Sequence, residues 1–404
     1  MLETKSNIYN KSLTLLTTIL LSTIFLKLLT TPIMCILMGA IILLCLLINK
    51  RGLNNTISIS IVFFLFIALL YQVIGNGESF KNYLLKSLYF LTGLLLTSTL
   101  NRITRKQQRF LLVCLLSLLA FSILATFSIL LIDPMAVRFY GYGVDEADMY
   151  MESTSLFGMY SYGVGETFSF MMPALLCFAL GTKKNVIKFA ILAMIVLGVI
   201  TQYMATLTTS FFLSLVASVL ILLLYIKELK IREILFLVLL VIPLFVIIAP
   251  KLTSFENTAF MTKMDDINHS LHSGQSTGQL QTRSDLYMQS IEVFLSNPIL
   301  GLGNIKTQTN SHGNRYVSMH TSILDYLGLY GLFALLLFNS WKKLLYKGIG
   351  ILPPRIQKIY KIPLLALLGL LLLKGPVTIG VNFFFSTFLL TLLYYNEYYR
   401  IQNN

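Results

Sequence analysis

Apolar runs close to 20 residues long recur along the whole chain and constrain its fold more than any other feature. About 20 apolar residues are needed for an α-helix to cross the hydrocarbon core of a bilayer. In lipid the backbone must satisfy its own hydrogen bonds, which a long continuous run does as a helix. Only 12% of the residues are charged, against roughly 25% in soluble domains. The sequence therefore predicts an all-α, polytopic membrane protein.

We predict twelve transmembrane helices within a single integral membrane domain, residues 1–404. The stretch 189–226 has no lysine or arginine and is too long for one span, so the polar run Thr201–Ser210 is expected to divide it. The predicted spans lie near residues 12–30, 32–48, 57–74, 83–100, 110–132, 166–181, 187–203, 207–226, 233–250, 319–340, 362–380 and 382–396.

Basic residues are concentrated in short loops on one side of this arrangement, together with both termini. The positive-inside rule makes that side cytoplasmic. The net charge of +14 is spread over many short loops, so it indicates topology and contact with anionic membrane lipids. No basic face for nucleic acid is formed, so we expect none as a partner. The basic loops are Lys50–Arg51, Arg102–Arg109, Lys183–Lys188, Lys227–Arg232 and Lys342–Lys361.

Two long loops, residues 133–165 and 251–318, fall on the opposite side. The first combines carboxylates with tyrosines, which suits sugars, because the ring packs on C–H faces and the acids accept hydroxyl hydrogen bonds. The alternative is that these tyrosines lie at the headgroup level, as in any membrane protein. No metal-ligand spacing stands out, and no metal is predicted. The candidate sugar-binding residues are Tyr140, Tyr142, Glu152 and Tyr160.

The second long loop contains a predicted amphipathic helix. The pattern Thr282-x-x-Asp285 is typical of a capping box, and Asn297-Pro298 predicts the end of the helix. Arg283 would then lie in the first turn. There its guanidinium and the free backbone N–H groups would together form an anion site. The alternative is a solvated surface arginine.

Glycines and a histidine follow this helix. Gly301-x-Gly303 allows a tight turn or a close backbone approach to a ligand. His320 lies at the start of the tenth predicted span, where it is either an interfacial polar residue or a catalytic one. Gly328 and Gly331, in the same span, predict close helix packing.

The ordered set of Arg283, Asn297-Pro298-x-x-Gly301-x-Gly303, His320-x-x-x-Leu324 and Gly328-x-x-Gly331 resembles the O-antigen polymerase/ligase family. The set begins in the second long loop and continues into residues 319–333. The resemblance implies a GT-C-like glycosyltransferase of the bacterial inner membrane with a periplasmic active site. Its donor would be an oligosaccharide on undecaprenyl pyrophosphate, with no cofactor and no metal. Arg283 would bind the pyrophosphate, and His320 would activate the acceptor hydroxyl.

Members of this family usually carry a further arginine on the span near 205–225, and this chain has no basic residue from Phe189 to Ile226. A second pyrophosphate contact would come from Arg138 or Arg315, or be absent. The departure weakens the ligase alternative, in which lipid A–core is the acceptor. It favours the polymerase, whose acceptor is a second lipid-linked repeat unit. For a polymerase, we also expect a chain-length regulator as a partner.

A transporter or flippase of lipid-linked sugars is the alternative from a different class. Transporters place polar and ionisable residues inside several spans, along a path for the substrate. Here the main intramembrane charges are Lys27, Lys86 and Lys374, and polarity is concentrated in the outer loops. The distribution favours an enzyme.

Overall fold

The regular secondary structure in the described part of the protein is all helical. In the computed structural model this part comprises residues 2–26, 31–49, 88–89, 91–132, 162–182, 184–205, 208–225, 278–301, 321–373 and 379–402, and no strand occurs within it. The prediction of an all-α chain is confirmed over these residues. In chain order the helices are α1 (Leu2–Leu26), α2 (Thr31–Ile48), α3 (residues 91–99), α4 (Arg105–Ile132), α5 (Tyr162–Gly181), α6 (Asn185–Met204), α7 (Thr208–Tyr225), α8 (Gly278–Ser296), α9 (Ser322–Tyr330), α10 (Phe333–Gly350), α11 (Pro354–Leu373) and α12 (Ile379–Gln402).

Three of these helices are long and apolar enough to cross a membrane: α4, α6 and α11. Shorter apolar helical segments occur at Pro32–Ile48, Thr167–Gly181 and Thr209–Tyr225. A helix with a sustained apolar run of this length is stable in lipid, because its backbone hydrogen bonds are made internally. Together with the composition, these helices indicate a membrane protein. The number of twelve spans and the side on which each loop lies stay predictions.

Several sequence predictions fall outside the described residues. They include the predicted spans near 57–74 and 233–250, and residues 133–161 of the first long loop. Residues 251–277 and 302–318 of the second long loop also lie outside, as do residues 319 and 320 at the start of the tenth predicted span. The other predicted spans overlap helices where the structure describes them, and residues 83–87 and 90 of the fourth span are outside the described part. Helices α1 and α11 begin ten and eight residues before their predicted spans.

Helix α5 is central to the packing of the described helices, because it contacts α6, α7, α11 and α12. Its sequence explains this position. Phe168, Phe170, Ala174 and Leu176 lie at different angles around the helix axis, and all are almost completely buried. A helix that is apolar all round is stable only where other helices surround it. This core supports the polar helices on which the candidate site is built.

The predicted span near 319–340 is wrong in one respect: it is two helices, α9 and α10, separated at Gly331. Gly331 has φ +58° and ψ −148°, a backbone conformation that residues with a Cβ rarely adopt. Helix α10 continues to Gly350 and α11 begins at Pro354, so all of the predicted basic loop Lys342–Lys361 except residues 351–353 is helical. The apolar run is continuous across the break, and a hydropathy pattern cannot detect it.

Candidate active site

The predicted site residues fall into two groups in the structure. Arg283 lies in α8, although its side chain is not among those described, and Gly301 lies just after this helix. The remaining predicted site residues lie outside the described part of the chain, and their roles stay predictions. They are Arg138, Tyr140, Tyr142, Glu152, Tyr160, Gly303, Arg315 and His320.

Helix α8 begins earlier than the capping pattern predicts. It starts at Gly278, four residues before Thr282, so Arg283 is its sixth residue and lies beyond the first turn. The predicted anion site of Arg283 and free N–H groups is therefore wrong, because N–H groups are free only at the start of a helix. Residues 279–281, Gln-Leu-Gln, are good helix formers and carry the helix past the apparent cap. Any phosphate contact would thus depend on the guanidinium itself.

The predicted end of α8 is confirmed. The helix ends at Ser296, and the N–H of Asn297 donates to the carbonyl oxygen of Val293 at 3.2 Å. Pro298 follows, which disfavours helical geometry in the residue before it. Asn297-Pro298 therefore turns the chain as its sequence indicates.

A buried carboxylate joins α8 to the start of α9. Ser290 Oγ donates to Asp325 Oδ1 at 2.5 Å, and the backbone N–H of Thr321 donates to Asp325 Oδ2 at 2.9 Å. Asp325 and Ser290 are both completely buried. A buried carboxylate is tolerated when hydrogen bonds replace its hydration, and those to an ionised acceptor are among the strongest. Asp325 thus fixes the first turn of α9 and connects it to α8.

Asp325 was not among the predicted site residues. The available signal was an acidic residue four positions after Thr321, at the start of an apolar helix, where a carboxylate can bond the free N–H groups. Its burial was not predictable from that pattern, because an acidic residue at a helix start is usually solvated. The partner Ser290 lies 35 residues earlier.

Helical register relates Arg283 to this hydrogen bond. Positions 283 and 290 are seven residues apart in α8, so they lie on the same face, about 10.5 Å apart along the axis. Position 290 meets Asp325, whose other oxygen binds the amide directly after His320. The structure therefore packs the helix carrying Arg283 against the helix whose first residues follow His320.

Two glycines form a second contact between the same elements. A Cβ on Gly301 would lie 2.3 Å from the carbonyl carbon and oxygen of Leu329, and one on Gly331 would lie 2.3 Å from the carbonyl oxygen of Ile299. Both residues have positive φ, +69° and +58°. The N–H of Leu332 donates to the carbonyl oxygen of Pro298 at 2.7 Å. We call this backbone-to-backbone contact between residues 298–301 and 329–332 the glycine interlock.

The glycine interlock explains two sequence features. Gly331 marks close packing, as predicted, but against the turn after α8. Gly301 permits a close backbone approach, and the approach that the structure describes is to Leu329 of the chain itself. Its prediction as a substrate-binding residue remains untested.

Replacement of Gly331 by alanine is expected to destabilise the protein by about 2 kcal/mol or more, because an L-residue is strained at this φ and the added methyl meets fixed backbone atoms. Thermal unfolding in detergent should give a Tm several degrees lower. The control is Gly39→Ala in α2, where an added Cβ has no atom within 4 Å. Equal Tm values for the two variants would contradict the importance of the glycine interlock.

Helix α11 connects this region to α7. Tyr287, one turn after Arg283, donates its hydroxyl to the carbonyl oxygen of Leu373 at 3.2 Å. One turn before Leu373 in α11, Gly369 faces α7, because a Cβ there would lie 3.1 Å from Leu213 Cδ2. The start of α7 therefore approaches the end of α11 that contacts α8.

Neutral polar side chains occupy α6 and α7 in the region where the family resemblance leads us to expect an additional arginine. Ser214 Oγ donates to Gln202 Oε1 at 2.7 Å, and both residues are buried. Ser210 is also completely buried. A neutral hydroxyl or amide can bind a sugar or one phosphate oxygen, but it cannot neutralise a pyrophosphate as a guanidinium does. Among the described residues, no cluster of three His, Cys, Asp or Glu side chains suitable for a metal occurs.

The apolar helices define a helical membrane protein, and its candidate site lies where the polar helix α8 packs against α9. Residues 194–339 match a family model described as O-antigen ligase. This stretch includes Arg283, Gly301, His320 and Gly331, so the resemblance drawn from those residues is confirmed. A search of curated proteins gave no match. The family match supports a ligase- or polymerase-type role in polysaccharide assembly, carried out by a glycosyltransferase-like enzyme.

Proposed function

We propose that the protein is a surface polysaccharide polymerase that transfers a glycan from undecaprenyl pyrophosphate to a hydroxyl of another lipid-linked repeat unit. The observation that supports this proposal is the match of residues 194–339 to the O-antigen ligase family model. Within that stretch, the packing of α8 against α9 relates the helix of Arg283 to the residue after His320. The protein would lie in the bacterial inner membrane, with both termini cytoplasmic and the site facing the periplasm.

The proposed reaction forms a glycosidic bond and breaks the bond between the donor sugar and its pyrophosphate. The acceptor hydroxyl oxygen attacks the anomeric carbon of the donor, and the bond from that carbon to the pyrophosphate oxygen breaks. His320 accepts the hydroxyl proton as a general base. The pyrophosphate leaves with developing negative charge, which a bidentate guanidinium at Arg283 would stabilise. The donor is already activated by its pyrophosphate, so this scheme uses no metal and no cofactor.

The remaining predicted residues would bind the two substrates. Arg138 or Arg315 would supply the second pyrophosphate contact. The tyrosines and Glu152 of the first long loop would bind sugars, and Gly301 and Gly303 would line the acceptor path. These assignments rest on residue chemistry and on the family resemblance.

The polymerase is preferred to the ligase because of residues 189–226. Family members, the ligases especially, carry an arginine near 205–225, whereas α6 and α7 here present the buried Gln202–Ser214 pair. A ligase remains the second candidate, because the matching family model is described as O-antigen ligase. The two differ in acceptor, which is lipid A–core for a ligase.

The two acceptors can be compared directly in proteoliposomes that contain the purified protein and undecaprenyl-pyrophosphate-linked repeat units. A polymerase is expected to produce a ladder of longer lipid-linked chains from these units alone. Addition of lipid A–core should leave the ladder unchanged. Transfer to lipid A–core without chain lengthening would identify a ligase instead. Movement of the lipid-linked units across the bilayer without a new glycosidic bond would identify a transporter.

A further inference from the structure

We propose that Asp325 is a positioning residue for glycan transfer: it holds the backbone that follows His320 and ties it to the face of α8 that carries Arg283. The inference rests on the proposed function, since it assumes that Arg283 and His320 act on one substrate pair. It adds a residue whose own carboxylate contacts the protein rather than the substrate.

The first step is the hydrogen bond to the backbone. Asp325 Oδ2 accepts from the N–H of Thr321 at 2.9 Å. This N–H belongs to the peptide group that joins His320 to Thr321, so the bond fixes the plane of that peptide group. The orientation of a peptide plane determines the direction in which the preceding residue leaves the helix. Asp325 therefore restrains the backbone at Thr321, the residue that directly follows the proposed base.

The second step is the bond to α8. Asp325 Oδ1 accepts from Ser290 Oγ at 2.5 Å, and neither side chain is exposed to solvent. Ser290 lies two turns after Arg283 on the same helical face. One carboxylate thus connects the backbone next to His320 with the helix of Arg283. Displacement of reacting groups by about 1 Å can lower a rate about 10²-fold, and a shared buried carboxylate opposes such a displacement.

The glycine interlock supplies an independent fixed point at the other end of α9. Loss of Asp325 should therefore leave α9 in place at its C-terminal end and release its first turn. A purely structural role would reduce the amount of folded protein. A positioning role would reduce the rate of the protein that does fold.

The test measures kcat and KM for chain elongation per folded molecule, with folded protein quantified by fluorescence-detected size-exclusion chromatography. Asp325→Ala removes both hydrogen bonds, and we expect kcat to fall about 10²-fold with the donor KM within about twofold of wild type. Asp325→Asn keeps an oxygen for the Thr321 N–H and an amide for Ser290 Oγ. It should retain about tenfold more activity than Asp325→Ala. Ser290→Ala, which removes only the bond to α8, should lower kcat about tenfold.

The matched control is Thr99→Val, which removes the buried hydrogen bond from Asn49 Nδ2 to Thr99 Oγ1 at 2.8 Å between α2 and α3. It should cost stability and leave kcat unchanged. If kcat per folded Asp325→Ala molecule stays within threefold of wild type, the proposal is overturned. If that variant does not fold, an unchanged kcat in Ser290→Ala overturns it equally. Activity that survives Arg283→Ala and His320→Ala would instead contradict the proposed function itself.

Discussion

Replacement of Arg283 by alanine is expected to lower kcat for glycan transfer by about 10³-fold, and replacement by lysine by about 10²-fold. The leaving pyrophosphate gains negative charge as its bond to the anomeric carbon breaks, and a guanidinium donates two parallel N–H bonds to it. Lysine keeps the charge and loses that geometry. Because Arg283 lies beyond the first turn of α8, no free helix N–H groups are available there to replace it. The measurement is the initial rate of elongation in proteoliposomes at saturating donor.

A suitable control for Arg283 is Arg109→Ala, which removes an exposed arginine of α4 on the predicted cytoplasmic side. Its expected elongation rate is that of wild type. The lysine variant carries the sharper information, because a simple attraction between charges would leave it nearly fully active. A rate for Arg283→Lys within threefold of wild type would show that bidentate binding of the leaving group is not required.

Replacement of His320 by alanine is expected to lower kcat by about 10²- to 10⁴-fold, the usual contribution of a positioned general base. The wild-type rate should fall on the acid side of its pH profile, since a protonated imidazole cannot accept the hydroxyl proton. The alanine variant should lose that acid-side fall along with most of its rate. The measurement is the pH dependence of kcat in both proteins.

His312→Ala is the control for His320. It removes a histidine eight positions earlier in the sequence, to which no role is assigned. It should keep the wild-type rate and pH profile. A His320→Ala variant that is slow but retains the acid-side fall would place the titrating base elsewhere. His320 would then bind the acceptor rather than activate it.

The fold was predictable wherever one local signal dominates. Apolar length located α4, α6 and α7 to within a few residues at most ends, because the cost of unpaired backbone in lipid leaves little choice. Pro298 located the end of α8, because its ring disfavours a helical residue before it. These signals act over a few residues and require no knowledge of the tertiary structure.

The features that escaped prediction depend on partners distant in sequence. At the break, the backbone of Ile299 occupies the place that a Cβ on residue 331 would take, so the need for glycine there comes from a residue 32 positions earlier. The bond between Asp325 and Ser290 joins residues 35 positions apart. The early start of α8 shows a further limit, since the local pattern at Thr282 is equally compatible with a helix interior. The stretch singled out by its motifs thus lies within the family match, whereas the contacts that shape it join residues too far apart for a local pattern to reveal.

The glycine interlock also has a consequence for the length of the chain between Gly301 and Thr321. Residues 302–320 begin beside the end of α9 at Gly301 and end at its start at Thr321, and the helix between these points is about 13 Å long. An extended chain of that many residues could reach about 60 Å. The length of this stretch is therefore not dictated by the distance it has to cover. We expect insertions and deletions within this stretch to be tolerated by the fold, because Gly301 and Thr321 are held in place by contacts with residues outside it.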